Sequence, residues 1–406
     1  MADSPLSVGL LTGAQDPHYS HGLALALAAR GVSVDFIGSD DLDGPALRKA
    51  PRIRFLNFRG SQQRDVGALQ KLRRVIRYYV RLANYAMVAT PGVLHILWNN
   101  KFELLDRTVL MLYYRMCGRR IVLTAHNVNQ RRRDGGDSLA NRLTLKIQYR
   151  LCDHIFVHTD KMKRELVEEY GTSASRISVI PYGINNMVPA GTIEAADAKA
   201  RLGISPADRT LLFYGQIGPY KGVDLLADAF ETLARSDASY RLIVAGRPKP
   251  GAEASWREVQ ARLQPLVDQR RAVLDIRHIP DEDTERYFMA ADVLVLPYRD
   301  IFQSGVLFLG YRYGLPVVAT DVGSFRQDIV EGRTGFLCPP ENATELASAI
   351  DRYFESELFQ ALPTRREEIR RIAEATHSWD TVAALTCETY AHVLGDNYSE
   401  RAAVTT

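Results

Sequence analysis

Three stretches of this sequence combine residue types and spacings that chemistry can use. Gly215-Gln-Ile-Gly-Pro-Tyr-Lys-Gly222 follows an apolar run and opens a helical pattern. Gly215 and Gly218 allow close backbone approach, and Lys221 brings a cation to the same edge. Ser304-Gly305-Val306-Leu307 stands between two apolar runs, Val293–Leu296 and Pro316–Ala319, where a helix should begin. Free N–H groups and the positive dipole end of such a helix attract phosphate at the carboxyl edge of a sheet. A lysine loop and a helix start on one sheet would clamp a diphosphate. By itself, the first stretch reads equally well as a surface loop whose lysine solvates a helix start. The third stretch is His126-Asn127, at the carboxyl edge of an apolar strand. A satisfied, half-buried histidine is the commoner reading of such a residue, and a cleft-facing ligand contact is the other.

The elements that must carry these residues alternate. Strand patterns occur at residues 6–11, 32–37, 53–58, 93–97, 121–125, 155–158 and 177–180, while the runs at 293–296 and 316–319 lack alternation, as expected of parallel strands covered on both faces. Helical patterns lie between them, including His18–Arg30, ended by Gly31, and a long one from Val66 to Ala89. Residues 186–208, rich in Pro, Gly, Ala and acidic residues, read as a linker. A second series has strands at 211–214, 242–245, 273–277, 293–296 and 317–319, and two helices close the chain, at 364–375 and 378–395. The expected class is α/β, with two Rossmann-like parallel-sheet domains facing a cleft: residues 1–185 and 209–376, then a helical segment 377–406. Ligands are expected between the halves.

The chain has 406 residues, 46% apolar and 24% charged, which is the composition of globular protein. No apolar run approaches the roughly 20 residues that span a bilayer, and Met1-Ala-Asp-Ser-Pro5 lacks signal-peptide character. The four cysteines are scattered without metal-like spacing and read as reduced thiols in a cytoplasmic protein. Of the two Asp-x-Asp matches, Asp41/Asp43 follows a strand and Asp281/Asp283 sits where a helix should start and cap. No metal site is expected.

Net charge is +3, but residues 1–185 hold 27 Lys+Arg against 16 Asp+Glu, or +11, leaving 24 against 32, or −8, for the rest. Only the first half should favour an anionic partner. Its basic helix, Leu69–Ala83, places Leu69, Leu72, Ile76, Tyr79 and Ala83 on one face, expected to pack, and Arg74, Arg77 and Arg81 on another. Such a basic face with nearby tyrosines suits an anionic membrane surface reached peripherally from the cytoplasm, and Arg131-Arg-Arg133 adds charge just beyond His126. Nucleic acid is not expected, because no recognition module or stacking set is present.

The order strand-Gly-x5-Lys-Gly, Ala-Asp-Val-Leu-Val-Leu-Pro, Ser-Gly-Val-Leu, Gly-Leu-Pro-Val-Val-Ala-Thr and Gly335-Phe-Leu resembles the GT-B glycosyltransferases of family 4. The first half is similar through Thr124-Ala-His-Asn127 and Pro-Tyr-Gly183, and Ser378-Trp-Asp380 matches the family's C-terminal helix that crosses back to the first domain. The resemblance implies a retaining, metal-independent transfer of a hexose from a nucleotide-sugar donor. Lys221 would contact the donor diphosphate, the Gly305-Val306-Leu307 amides its distal phosphate, and His126 the transferred sugar. Asp16, His18 and His21, around the first turn, would lie on the acceptor side with Asn127, and Asp16 could act on an acceptor hydroxyl.

The departures are specific. Gln216 occupies the usual place of an arginine, and the family's E-x7-E pair falls on Ile301 and Leu309. Those side chains cannot grip sugar or ribose hydroxyls. Asp300 and Gln303 are the nearest polar replacements, and Arg247 could replace the missing arginine. The expected acceptor is a saccharide or a lipid-diphosphate-linked saccharide, in polysaccharide or glycoconjugate synthesis. The competing reading is a nucleotide-binding scaffold that kept the fold and lost catalysis with its glutamates.

Overall fold

A computed structural model describes residues 6–13, 15–63, 67–100, 102–133, 135–189 and 192–395. Met1–Pro5, Val66, residues 190 and 191 of the expected linker, and the Arg133 side chain lie outside the described residues. The chain forms two compact units, residues 1–183 with 377–406, and residues 184–376.

The first unit runs β1 (Ser7–Leu11), α1 (Pro17–Ala29), β2 (Ser33–Gly38), α2 (Pro45–Lys49), β3 (Ile53–Asn57), α3 (Ala68–Val88) and β4 (Val93–Ile96). A π-helical turn, Leu105–Val109, leads into α4 (Leu110–Met116), followed by β5 (Arg120–Thr124), α5 (Gln130–Arg133), α6 (Leu139–Leu151), β6 (His154–Val157), α7 (Asp160–Glu168) and β7 (Ile177–Val179). The seven strands are parallel in the order β3-β2-β1-β4-β5-β6-β7, with Val8 in register with both Val34 and Val93. Strand order reverses direction between β1 and β4. Right-handed crossovers therefore put α1 and α2 on one face, and α3, α4, α6 and α7 on the other.

The long basic helix is turned the opposite way from the sequence expectation. Leu69, Leu72 and Ile76 are each more than half exposed, whereas Tyr78, Leu82, Tyr85 and Ala86 are buried. The tyrosines bury large rings and still satisfy their hydroxyls, Tyr78 on Asn100 at 2.6 Å and Tyr85 on Asp35 at 2.8 Å. Arg74 and Arg81 reach inward to the Ser61 and Asn57 carbonyls, acceptors that leucines could not use.

The second unit runs α8 (Ala195–Arg201), β8 (Arg209–Tyr214), α9 (Val223–Ser236), β9 (Tyr240–Ala245), α10 (Glu253–Asp268), β10 (Ala272–Asp275), α11 (Asp281–Ala290), β11 (Val293–Leu296), α12 (Gly305–Arg312) and β12 (Val317–Thr320). It ends with α13 (Phe325–Asp328), β13 (Gly335–Cys338), α14 (Ala343–Glu355), α15 (Glu357–Gln360) and α16 (Leu362–His377). Its six parallel strands are ordered β10-β9-β8-β11-β12-β13. β13 is additional to the strands read from sequence, being short and begun by a glycine.

Residues 184–208, read from composition as a linker from 186, group with this unit. The reason is local: Lys199 is buried and its ammonium donates to Asp292 at 2.9 Å and to the Asp208 carbonyl at 2.7 Å. Glu285 also accepts from the Thr192 backbone and hydroxyl, each at 2.6 Å. Asp281 and Asp283 are not the cap of α11; Pro280 is, and Asp283 instead accepts from Arg277 at 2.8 Å.

The closing helix, α17 (Trp379–Leu394), joins the core of the first unit. Trp379 lies against the backbones of Gly22 and Gly183, so close that a Cβ on either would fall within 2.5 Å of its ring.

Candidate active site

In the second unit, strand order reverses between β8 and β11, so the loops leaving these two strands stand side by side. The loop after β8 contains Gly215 and Lys221; the loop after β11 leads to Ser304 and α12. Gly215 has φ +101, and a Cβ there would stand 3.3 Å from Val306 Cγ2 and 3.6 Å from Lys221 Nζ. Glycine thus keeps a passage open where the lysine ammonium and the helix start converge. Ser304 is the N-cap of α12 but makes no side-chain capping bond, while the Leu307 N–H closes on the Ser304 carbonyl at 3.1 Å. The first amides of the helix are therefore not covered by their own cap, which leaves a helix start suited to an anion.

Lys221 is held in place rather than waving from the surface. It is only 7% exposed, at the end of a short 3-10 turn, and its Nζ lies 5.2 Å from the Tyr298 ring centroid. Tyr298 is fully buried, which pushes its hydroxyl far above the ordinary tyrosine pKa and keeps it neutral. The loop's turn back into α9 is made by Gly222 at φ +61, where a Cβ would sit 1.9 Å from the Pro297 carbonyl oxygen. Arg299 completes the frame. Its backbone N–H bonds the Tyr220 carbonyl at 2.8 Å, and its guanidinium forks onto Asp224 at 2.8 and 2.6 Å. Tyr298, Arg299 and Asp224 carry no signal in the sequence, since a pairing 75 residues apart leaves no local pattern.

The remaining residues expected here fall into distinct environments. Arg247 follows Gly246 at the end of β9, where its carbonyl accepts from Ile217 N–H at 2.9 Å, and its side chain is exposed. Gln216 is exposed, and Gly218 is buried one residue before the turn. Asp300 is exposed, whereas Gln303 is half-buried and its Oε1 is a buried acceptor with no hydrogen-bond partner among the described residues. Of the two expected replacements, Gln303 is the one already desolvated beside the helix start. Ile301 and Leu309 are buried at 7% and 8% exposure, as aliphatic side chains in such positions would be. Among the described residues no group of three or more His, Cys, Asp or Glu is arranged to hold a metal ion.

The first unit gathers His126 with aromatic and polar neighbours. The His126 ring stacks on Trp98 with centroids 4.2 Å apart and meets Tyr19 edge-on at 4.5 Å. Its Nδ1 lies 3.1 Å from His158 Nε2, and His158 Nδ1 lies 3.2 Å from the Ile180 carbonyl. Burial lowers the pKa of His158 to about 4 and that of His126 well below 6.5, so both are neutral. The tautomers follow. His158 must donate from Nδ1 to the carbonyl, so its Nε2 accepts; His126 then donates from Nδ1. The remaining lone pair is on His126 Nε2, which is buried and has no partner among the described residues. A neutral ring nitrogen with an unused lone pair can accept a hydrogen bond. His158 ends β6 as His126 ends β5, so the same strand-end signal is present for it in the sequence.

A polar cavity of about 140 Å³ adjoins His126, lined among others by Gln15, Trp98, Asn99, Arg107, Asn127 and Gln148. Asn127 therefore stays with His126. The other acceptor-side candidates are tied into the fold. Asp16, at φ 37, caps α1 by accepting from Tyr19 N–H at 3.1 Å and also accepts from the Tyr182 hydroxyl at 2.9 Å. His21 is buried with Nε2 2.8 Å from the Leu42 carbonyl, which directs it into the core, and His18 is half-buried.

Known proteins resemble this chain in sequence and in fold. Residues 18–186 match the model of Glycosyltransferase Family 4, and residues 208–356 that of Glycosyl transferases group 1. D-inositol 3-phosphate glycosyltransferase of Kineococcus radiotolerans is 27% identical over 267 residues, 62% of this chain and 60% of that protein. The enzyme of the same name from Mycobacterium tuberculosis is 26% identical over 393 residues, covering 93% of this chain and 78% of its own. The match thus spans less than two thirds of the first of these relatives. Among solved structures, sucrose-phosphate synthase of Thermosynechococcus elongatus aligns at a TM-score of 0.76 with 19% identity, over 96% of this chain and all of that one. HepE of Anabaena, solved with UDP-glucose, aligns at 0.70 with 17% identity, over 95% and 100%. With two matched family models, two parallel sheets and their loops at the strand-order switch, this chain belongs to the family 4 (group 1) glycosyltransferases and has their GT-B fold.

Proposed function

We propose that the protein is a retaining glycosyltransferase that moves a hexose from a nucleotide-sugar donor to a saccharide or lipid-diphosphate-linked saccharide. The observation that carries this reading is the convergence of Lys221 Nζ, Gly215 and Val306 at the switch point of the second sheet. A leaving nucleoside diphosphate gains negative charge as the glycosidic bond breaks. A buried, framed ammonium and the amides of Gly305 and Val306 stabilise that charge without reorganising, and one such donor contributes roughly 3 kcal/mol; the Leu307 amide, expected to join them, already donates to the Ser304 carbonyl. No step in this scheme calls for a metal. The donor half of the reading is supported by HepE, whose structure holds UDP-glucose.

Gln303 takes the place of the first missing glutamate through Oε1, which accepts a sugar hydroxyl; within the first unit, His126 Nε2 is a separate acceptor for a saccharide hydroxyl. Arg247, exposed at the end of the adjacent β9, supplies the charge absent from Gln216.

The second reading, a nucleotide-binding scaffold, is favoured by one observation: Ile301 and Leu309 are buried aliphatics in place of both acids. Titration with UDP, GDP and ADP followed by thermal melting, then incubation with the matching nucleotide sugars, decides between them. Stabilisation by one nucleotide with turnover of its sugar, lost in Lys221→Ala, supports the transferase. Nucleotide binding without hydrolysis or transfer of any donor supports the scaffold.

A further inference from the structure

All but three of the large hydrophobic side chains that stand exposed among the described residues belong to one layer of the first unit; the exceptions are Val179, Met187 and Val330. That layer is α3, residues 102–116 and α6, which crossover handedness places together on one face of the sheet; α3 packs on α4, and α4 on α6. The sheet covers its inner side, so the exposed side chains point away from the protein.

On α3, besides Met87 and Val88 at its end, the exposed apolar residues are Leu69, Leu72, Ile76 and Val80, the last four at 62%, 55%, 54% and 62%. Their spacing of three, four and four draws a stripe along a helix of 21 residues. Leu112 and Met116 extend it on α4, at 50% and 86%, and Leu139 and Leu143 on α6, at 85% and 60%. Soluble surfaces scatter single apolar residues; a run of them on three adjoining helices marks an interaction face.

The charge beside the stripe identifies what covers it. α3 contains five Lys or Arg residues and no acid. Arg73 and Arg77 are exposed in the same turns as Leu72 and Ile76. A cavity of about 350 Å³ beside the helix is lined by Arg59, Arg73, Arg74, Arg77 and Arg81. An apolar stripe bordered by arginines fits acyl chains below and anionic headgroups at its edge. Two copies meeting through this face about a two-fold axis would bring the α3 arginines together, which like-charge repulsion opposes.

We infer that the outer face of α3, α4 and α6 docks this protein on a bilayer containing anionic phospholipid, with α3 lying in the interface. The inference deepens the acceptor side of the glycosyltransferase reading and rests on it only for its purpose, which is to meet an acceptor whose lipid end stays in the membrane.

The test is co-sedimentation of the full chain with vesicles of phosphatidylcholine alone or mixed with phosphatidylglycerol, with UDP, GDP and ADP titrations and mass determination on the same preparations. Binding to the mixed vesicles that weakens with salt and is lost in Leu72→Glu/Ile76→Glu is expected. Arg73→Gln/Arg77→Gln should weaken binding by about fivefold per arginine removed. Absence of binding to mixed vesicles at low salt, or equal binding by parent and both variants, overturns the proposal. A dimer of the parent that Leu72→Glu/Ile76→Glu dissolves also overturns it and assigns the face to a second copy. Intact nucleotide binding alongside failed vesicle binding leaves the transferase reading standing, and the reverse result leaves the docking face.

Discussion

Arg299 and Asp224 face each other through two parallel hydrogen bonds of 2.8 and 2.6 Å, joining the loop after β11 to the first turn of α9. The pair is partly exposed, so solvent reduces its contribution to stability. Its position matters more: it fixes the lysine loop and the approach to α12 in one frame. Arg299→Ala is expected to weaken binding of the nucleoside diphosphate by about tenfold, with little change in melting temperature. Calorimetric titration measures it. Arg299→Lys should recover only part, because an ammonium cannot fork onto both carboxylate oxygens.

Lys221 lies at the centre of that frame. Lys221→Met keeps the stem that packs near Tyr298 and removes the charge. We expect kcat/KM for donor hydrolysis or transfer to fall on the order of 100-fold, while the circular dichroism spectrum is unchanged. Unchanged turnover in a folded variant would remove this lysine from the site.

Gly222 is a stability prediction. Its φ is +61, and a Cβ there would stand only 1.9 Å from the Pro297 carbonyl oxygen, which leaves no room for alanine. Gly222→Ala should cost about 2 kcal/mol or more in urea unfolding. Gly203, also at a positive φ but with nothing within 4 Å, should lose less on the same change.

His126 and His158 form a directional pair, and the direction can be tested. His126→Ala should lower transfer by at least about tenfold while leaving nucleotide affinity unchanged, since the lone hydroxyl acceptor is lost and the diphosphate contacts are not. His158→Leu removes the acceptor that sets the His126 tautomer. His158→Gln supplies another, so its activity should lie between those of the parent and His158→Leu.

Acid should destabilise the first unit. Burial lowers the pKa of His95 to about 3 and those of His154, His158 and His377 to about 4, against 6.5 when exposed. The unfolded chain therefore binds more protons than the folded one across this window. The stability from these neutral imidazoles is fully present above pH 6.5 and declines as pH falls toward 4. Melting temperature measured from pH 7.5 to 4.5 should drop most steeply below pH 6.5, and His95→Gln should flatten that slope.

Much of this molecule is legible in one dimension because parallel strands buried on both faces leave unbroken apolar runs. Val293–Leu296, fully buried, has the same bounds in the sequence pattern and in the fold. The start of α12 at Gly305 is visible too, since a polar loop and Ser-Gly must give way to a helix there. Local chemistry writes itself into local sequence.

What only the tertiary structure decided is which faces meet. The apolar face of α3 has the pattern of a packing face, yet the buried side went to Tyr78 and Tyr85, with half-buried Arg74 and Arg81 beside them, and their partners at Asn100, Asp35, Ser61 and Asn57 come from other elements. Asp16 and His21 have the chemistry of contact residues, but a helix cap and the Leu42 carbonyl claim them. Gln303 was separated from Asp300 by burial alone, and His126 acquired a defined lone pair through His158, 32 residues away. Hydrogen-bond partners and burial are set by chain segments remote in sequence, and no spacing rule within a segment encodes them.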